Sequence, residues 1–204
     1  MRYSLRCILL ALALVLPGAL LAQSSTLYLG FSYLRAYTGT STITPAPLNL
    51  FGWEAAYTVK IVPRFGITFD ASGNYGPATT VAAIGPAPGE IIPTARTTYE
   101  QYTFLLGPSI TPLRSHAVSV GIHGLVGAGI ATVPRVREPF PVFEVFPGNT
   151  ETAFSAAVGG NLDVRITDHV GYRVLQPELL LTRFGNNFHR DLRASTGFTF
   201  SWGR

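Results

Sequence analysis

The stretch 192–202, close to the C-terminus, alternates between two kinds of side chain. One face carries Leu192, Ala194, Thr196, Phe198, Phe200 and Trp202, and the other carries Arg193, Ser195, Gly197, Thr199 and Ser201. A period of two is that of a β-strand with one apolar and one polar face. The apolar face must lie either on a water-shielded core or on lipid, and the choice between these two environments decides the fold.

Eight segments of the chain carry this alternation, and strands of about 9–11 residues are long enough for a tilted membrane crossing. They are 27–37, 51–59, 65–75, 99–109, 117–131, 154–166, 170–182 and 192–202. In the seventh segment, a regular strand would place Arg173 on one face and both Gln176 and Glu178 on the other. Pro177 has no N–H to donate to a neighbouring strand. We therefore predict a β-bulge near Pro177.

The links between these segments alternate in length. The short links are 60–64, 110–116 and 167–169, and the long ones are 38–50, 76–98, 132–152 and 183–190. Short turns on one rim and long loops on the other are typical of transmembrane β-barrels. Ten of the 15 prolines fall in the first three long links, where they stiffen loops and cannot continue a ladder.

The polar faces carry mostly Gly, Ala, Ser, Thr and Asn, whereas a water-facing wall normally carries long charged side chains. Only 13% of the residues are charged, about half the usual quarter. Small side chains fit the narrow interior of an eight-stranded barrel. We therefore predict an all-β, eight-stranded, antiparallel up-and-down transmembrane β-barrel rather than a soluble barrel of the lipocalin kind. The predicted lipid-facing residues are Trp53, Phe65, Ile67, Phe69, Phe104, Val120, Ile122, Val158, Leu162, Phe198 and Phe200.

The N-terminus predicts export. Two arginines precede an apolar run, 7–16, that is too short to span a bilayer, and Pro17-Gly18 follows it. We predict a signal peptide over 1–22 and one barrel domain over 23–204; an N-terminal anchor helix is the alternative. The only cysteine, Cys7, leaves with the peptide, which excludes disulfides and thiolate chemistry from the mature chain. No Lys/Arg cluster is present, so no nucleic-acid partner is predicted.

The spacing Ser195-x-Gly197-x-x-Phe200-x-Trp202 resembles the C-terminal signal by which the outer-membrane assembly machinery recognises barrels, although the Gly203-Arg204 tail departs from it. The chain resembles the small OmpA-like outer-membrane β-barrel family, most closely over 159–165 and 181–185. This resemblance implies a monomeric, porin-like barrel in the outer membrane of a diderm bacterium, with no enzyme activity by default. It also implies outer-membrane lipid, lipopolysaccharide and the assembly machinery as partners.

Charged side chains on the polar faces should meet near the barrel axis. They are Glu54, Asp70, His123, Asp163, Arg165, Arg173, Glu178 and Arg193. Unpaired charges there would cost several kcal/mol each, so we predict ion pairs. The favoured interpretation is a structural plug that holds the strand register. The alternative is a gated, narrow channel for small solutes or ions.

Catalytic and metal-binding patterns are absent from the sequence. A lipid A deacylase needs His-x-Ser on one strand face, but His123 is followed by Gly124-Leu125 and His116 by Ala117-Val118. Four dispersed histidines without a mature cysteine give no recognised ligand spacing. We predict no catalytic residue, cofactor or metal, and a lipid A-modifying enzyme is the third hypothesis.

The link segment 138–147 is unusually apolar for an exposed loop. It predicts either a partner surface, which could add a strand to another protein's sheet, or a cover over its own rim. The sequence thus favours a structural or surface-interaction role with Pro-rich extracellular loops.

Overall fold

The computed structural model describes residues 24–37, 47–80, 95–133, 149–184 and 187–203. The eight strands in it are β1 Ser24–Ala36, β2 Leu48–Val62, β3 Phe65–Thr80, β4 Ala95–Arg114, β5 Val118–Val133, β6 Asn149–Arg165, β7 Val170–Phe184 and β8 Asn187–Trp202. Each strand pairs antiparallel with its chain neighbours, and β8 pairs with β1 to close the barrel. The predicted eight-stranded up-and-down barrel is confirmed. No helix in the described residues is long and apolar enough to cross a membrane.

The closing seam between β1 and β8 depends on two glycines that face each other. Gly30 is paired with Gly197 in the ladder. A Cβ at Gly197 would lie 2.3 Å from the Leu29 carbonyl oxygen, and one at Gly30 would lie 2.5 Å from the Thr196 carbonyl oxygen. Real Cβ atoms do not approach other atoms this closely, so the seam requires glycine at both positions. Closure of the sheet gives every strand a hydrogen-bonded neighbour on both sides along the barrel wall, which is the solution that a membrane barrel needs.

The three predicted short links are tight turns between β2 and β3, β4 and β5, and β6 and β7. The predicted long link over 183–190 is wrong. The β7–β8 ladder continues through Thr182↔His189 to Phe184↔Asn187, and only residues 185–186 separate the two strands. Polar residues there do not stop the ladder, because backbone pairing beyond the apolar belt does not need apolar side chains.

The β3–β4 link is also shorter than predicted. Pro77, which we assigned to this link, lies in β3 opposite Thr98, and the pairing reaches Thr80↔Ala95. An exposed proline is tolerated here because β2 pairs with β3 only as far as Phe51↔Tyr75, so that β3 is an edge at this point. Segment 138–147 and most of the loop prolines lie outside the described residues.

The barrel wall is apolar outside and mostly polar inside. Trp53, Phe69 and Phe104 are all exposed, each at more than two-fifths of its surface. The other residues that we predicted to face lipid also point outward, with Val120 half-buried. No apolar residue from the outer face enters a water-shielded centre, which is the arrangement of a barrel whose outer wall contacts acyl chains.

A β-bulge in β7 reconciles the two parities seen in the sequence. The pairing of β7 with β8 shifts between Arg173 and Gln176. Val174 and Leu175 both point outward, with 45% and 48% of their surfaces exposed, whereas Arg173 and Gln176 both point inward. The predicted bulge is therefore present, two to three residues before Pro177. Its extra residue lets β7 place both polar side chains in the interior.

Candidate functional site

Arg193, from the middle of β8, is the centre of the barrel interior. Its guanidinium donates from Nε to Glu178 and from Nη2 to Asp70 Oδ1 at 2.8 Å. Nη1 donates to Ser72 Oγ at 2.7 Å and to Thr103 Oγ1 at 3.2 Å. The residue is 1% exposed, so a fully desolvated cation is held by four acceptors from three other strands.

Glu178 links Arg193 to the opposite side of the interior. Its Oε1 lies 2.6 Å from His123 Nε2 and accepts from Gln176 Nε2 at 3.0 Å. The same Gln176 amide donates to Glu54 Oε1, and Glu54 Oε2 lies 3.5 Å from Arg193 Nε without a hydrogen bond. We call Glu54, Asp70, His123, Gln176, Glu178 and Arg193 the central network.

A second ion pair stands beside the central network. Arg173 donates from Nε to Asp163 Oδ1 at 2.7 Å and from Nη2 to Oδ2 at 3.1 Å, and its Nη1 donates to Gln176. Its Cζ lies 4.4 Å from the centroid of the Tyr28 ring, a cation–π distance. Gln176 therefore joins the pair Arg173–Asp163 to the central network.

The structure brings together seven of the eight charged residues that the sequence selected. Arg165 is the exception, because it ends β6 with an exposed side chain at the short-turn rim. Arg165 falls on the inward face in the alternation of β6, but the strand ends at this residue and the side chain is therefore exposed at the rim. Sequence reasoning gave no role to Gln176, Ser72 or Thr103. The sequence indicates only that these three residues lie on the inward face of their strands, and many residues without a role lie there too.

The interior also contains an apolar cluster that the sequence analysis missed. Its members lie mainly toward the long links; they are Leu34, Ala36, Leu48, Leu50, Ala78, Tyr99, Leu105, Leu125, Ala131, Ala157 and Leu180. Leu34, Leu50 and Leu180 are completely buried. Each of these leucines falls on the polar face in the alternation of its strand, so the sequence already indicated that it points into the interior. The interior is thus closed by apolar packing in one half and by charges near the middle.

Next to the apolar cluster, two side chains of β8 contact the backbone of Tyr37, the residue that follows β1. Asp191 Oδ1 accepts a hydrogen bond from the Tyr37 backbone N–H at 2.8 Å, and His189 Nδ1 lies 2.9 Å from the Tyr37 carbonyl oxygen. Asp191 Oδ2 lies 3.5 Å from Gln101 Nε2. The long-link end of the interior is therefore cross-connected between β8, β1 and β4.

On the short-turn side, the interior opens into a cavity of about 140 Å³. Asp70, His123 and Gln176 form its inner end, and the rim residues Lys60, Arg114 and Arg165 line its outer part. Hydroxyl pairs cross its wall, Thr58 with Thr68 at 2.8 Å and Thr26 with Ser201 at 3.0 Å. We call this space the vestibule.

The four residues of the predicted assembly signal lie on two faces of β8. Ser195 and Gly197 point inward and are buried, whereas Phe200 and Trp202 are exposed on the outer wall. The Trp202 ring lies 6.0 Å from that of Tyr57, measured between centroids. Recognition by an assembly machinery stays a prediction.

Among the described residues, no group of three or more His, Cys, Asp or Glu side chains is arranged to hold a metal ion. His123 has its Nε2 committed to the buried Glu178. What this interior can do chemically is to hold charges in fixed pairs and to hold strands in register.

Comparison with known proteins agrees with this fold. A scan of protein-family models and a search of curated protein sequences find no match. The chain is similar to the crystal structure of Ail, the attachment invasion locus protein of Yersinia pestis, in complex with the heparin analogue sucrose octasulfate. The identity is 14%, over 87% of this chain and 98% of that one, with a TM-score of 0.54.

Two further solved structures are similar at this level. Neisserial surface protein A is 12% identical over 86% of this chain and 96% of that one, with a TM-score of 0.57. The outer membrane protein OprG of Pseudomonas aeruginosa is 11% identical over 90% and 97%, with a TM-score of 0.55. The chain therefore has the fold of the small eight-stranded outer-membrane β-barrels.

Proposed function

We propose that the protein is an integral outer-membrane barrel with a sealed interior, whose role is structural or surface-interacting rather than conducting or catalytic. The observation that carries this proposal is the double closure of the interior. The central network crosses it near the middle, and the apolar cluster packs mainly in the half toward the long links. A hydrated ion would have to break both, and each buried charge left without a partner costs several kcal/mol.

Membrane insertion is tested with the two tryptophans, because both lie on the outer wall. Trp53 is 42% and Trp202 is 43% exposed, Trp53 within β2 and Trp202 at the end of β8. In single-tryptophan variants, W53F and W202F, brominated lipids should quench both fluorophores, with different dependence on bromine depth. Fluorescence that is insensitive to brominated lipid in folded protein would contradict the proposal.

Conduction is tested by planar-bilayer recording of the folded protein. We expect no steady conductance from the wild type, because the central network and the apolar cluster both lie in the interior that an ion would have to cross. A stable open channel whose conductance is abolished or widened by E54A would favour the narrow channel instead. The vestibule supports this second candidate, since it extends from one rim to Asp70 and His123 at its inner end.

A lipid-modifying activity has less support. His123 faces the interior and is bound to Glu178, so it does not reach a lipid on the outer wall. We expect no acyl release when the purified protein is incubated with lipopolysaccharide. Release of fatty acid that is abolished in H123Q would reverse this assignment.

The long links are the proposed interaction surface, on the outer side of the membrane by the usual asymmetry of such barrels. Ail, the attachment invasion locus protein, has a similar structure and was crystallised with a heparin analogue, which supports a binding role for a barrel of this fold. Protease cleavage within 138–147 on intact cells would support exposure of this segment. Complete protection of the segment on intact cells, with cleavage after denaturation, would favour the alternative that it folds over its own rim.

A further inference from the structure

Three basic side chains converge on the outer part of the vestibule. Lys60 stands near the end of β2, Arg114 ends β4 and Arg165 ends β6, and all three line the same cavity. We call them the basic mouth. In the part of the chain that the structure describes, none of the three side chains makes a hydrogen bond or an ion pair. Lys60 is also the only lysine of the chain.

The acidic residues around the vestibule do not neutralise this charge. Asp70 is held by Arg193, and Asp163 is held by both ends of the Arg173 fork. Of the acids that line the cavity, this leaves Asp168 in the β6–β7 turn. Three cations therefore face one uncommitted carboxylate, a surplus of two positive charges.

The mutual repulsion within the basic mouth is only partly offset by a neighbouring carboxylate. Both Arg114 and Arg165 act unfavourably on the charge of Lys60, and Asp163 acts on it favourably. Cations that repel one another in a partly enclosed space of low dielectric are stabilised by an anion more than isolated surface cations are.

Below the mouth, the wall supplies neutral hydrogen-bonding groups. Ser109, Thr111, Ser119 and Asn161 all line the vestibule. Its volume of about 140 Å³ exceeds the share of about 30 Å³ that one water takes in the liquid, and so has room for a phosphate group. Charged donors with hydroxyls around them are the usual setting for a phosphate oxygen.

We propose that the basic mouth is a binding site for a phosphate group presented at the short-turn rim. The group is either that of a soluble phosphate compound or the headgroup of an anionic phospholipid in the adjoining leaflet. The chemistry is the same in both cases: two or three cations contact the phosphate oxygens, and the wall hydroxyls complete their hydrogen bonds.

The test uses the full chain, folded and with its backbone amides observed by NMR. Gly121 and Gly171 line the vestibule and report on it without being altered. One arm titrates inorganic pyrophosphate into protein in a neutral detergent at low salt. The other compares nanodiscs of phosphatidylcholine with nanodiscs that also contain phosphatidylglycerol. K60Q and R165Q remove charges of the mouth, and heat-modifiable migration on a gel checks that each variant is folded.

The matched control is R64Q. Arg64 lies in the β2–β3 turn on the same rim, is exposed, and does not line the vestibule. We expect pyrophosphate to shift both glycine signals. The affinity for pyrophosphate should fall about tenfold in R165Q and in K60Q, which is the effect of losing one charged hydrogen bond. R64Q should bind like the wild type.

The arms separate the two sources. Shifts with pyrophosphate indicate a soluble phosphate compound. A lipid headgroup is indicated if the signals shift only with phosphatidylglycerol. These shifts should then occur in the wild type and in R64Q but not in R165Q. The proposal is overturned if neither anion moves the signals. It is also overturned if R64Q weakens binding as much as R165Q does, because the rim would then attract anions only through its overall charge.

Discussion

Replacing Arg193 by methionine is the sharpest test of the interior. The methionine side chain fills part of the same space but donates no hydrogen bond. It leaves Glu178, Asp70 and Glu54 without their shared cation, and it removes the hydrogen bonds that Arg193 donates to Ser72 and Thr103. Removing one partner of a single buried ion pair costs about 3–5 kcal/mol. Since Arg193 serves at least two carboxylates directly, we expect R193M to lose free energy of unfolding at the upper end of that range.

The assay is reversible urea unfolding in phospholipid vesicles, followed by tryptophan fluorescence and by heat-modifiable migration. R190M is the matched control, because Arg190 lies three residues earlier in β8 and is exposed. Substitutions at such surface positions usually change stability by no more than about 0.5 kcal/mol. The double variant E178Q/R193M should be less destabilised than R193M alone, since it removes one of the stranded charges.

Equal stability of R193M and R190M would refute the reasoning. It would mean that solvent reaches the carboxylates of the central network freely, so that Arg193 is not needed to compensate them. A conducting interior would then become the better interpretation, and the bilayer recordings described above would be expected to show it. If R193M is strongly destabilised and E178Q does not rescue it, most of the lost free energy of unfolding arises at Asp70 instead of Glu178.

Three smaller changes test other parts of the structure. G197V should prevent barrel closure, because its Cβ would lie 2.3 Å from the Leu29 carbonyl oxygen; loss of the heat-modifiable band shows this, and a folded G197V would contradict it. D163N should destabilise the protein by only about 1 kcal/mol in urea unfolding, because its carboxylate is partly exposed and pair energies shrink with solvent contact. Deleting Val174 removes the extra residue of the bulge and leaves Arg173 and Gln176 both facing inward in regular alternation; we expect a folding yield equal to that of V174A, and a collapse of the yield would show that the bulge itself is required.

The sequence predicted the wall of the barrel better than its interior. Alternation fixes which side of a strand each residue occupies, so Trp53 and Phe69 could be assigned to the outside and Glu54 and Arg193 to the inside from parity alone. Parity says nothing about height along the barrel axis, which depends on strand tilt and register. For this reason Arg165 was grouped with the buried charges although it stands at the rim.

The apolar cluster was missed for a related reason. Leu34, Leu50 and Leu180 have the parity of the polar faces, but an isolated leucine on a polar face has no meaning until its neighbours across the barrel are known. The end of the β7–β8 ladder differs from the prediction because polar side chains do not mark a loop there. Backbone pairing continues past the membrane, where composition no longer separates strand from link.

Strand β8 shows why the central network and the membrane surface depend on each other. Its odd-numbered residues include Arg193, the centre of the interior, and its even-numbered ones include Phe198, Phe200 and Trp202 on the outer wall. A slip of one residue against β1 or β7 would turn Arg193 toward lipid, at about 2–4 kcal/mol near the bilayer midplane. It would also forfeit the roughly 3–5 kcal/mol tied to its buried partners. These two penalties add, because one arises outside the wall and the other inside it. A single buried guanidinium therefore fixes the register of the strand that closes the barrel, which gives the charged interior a structural role even if nothing ever passes through it.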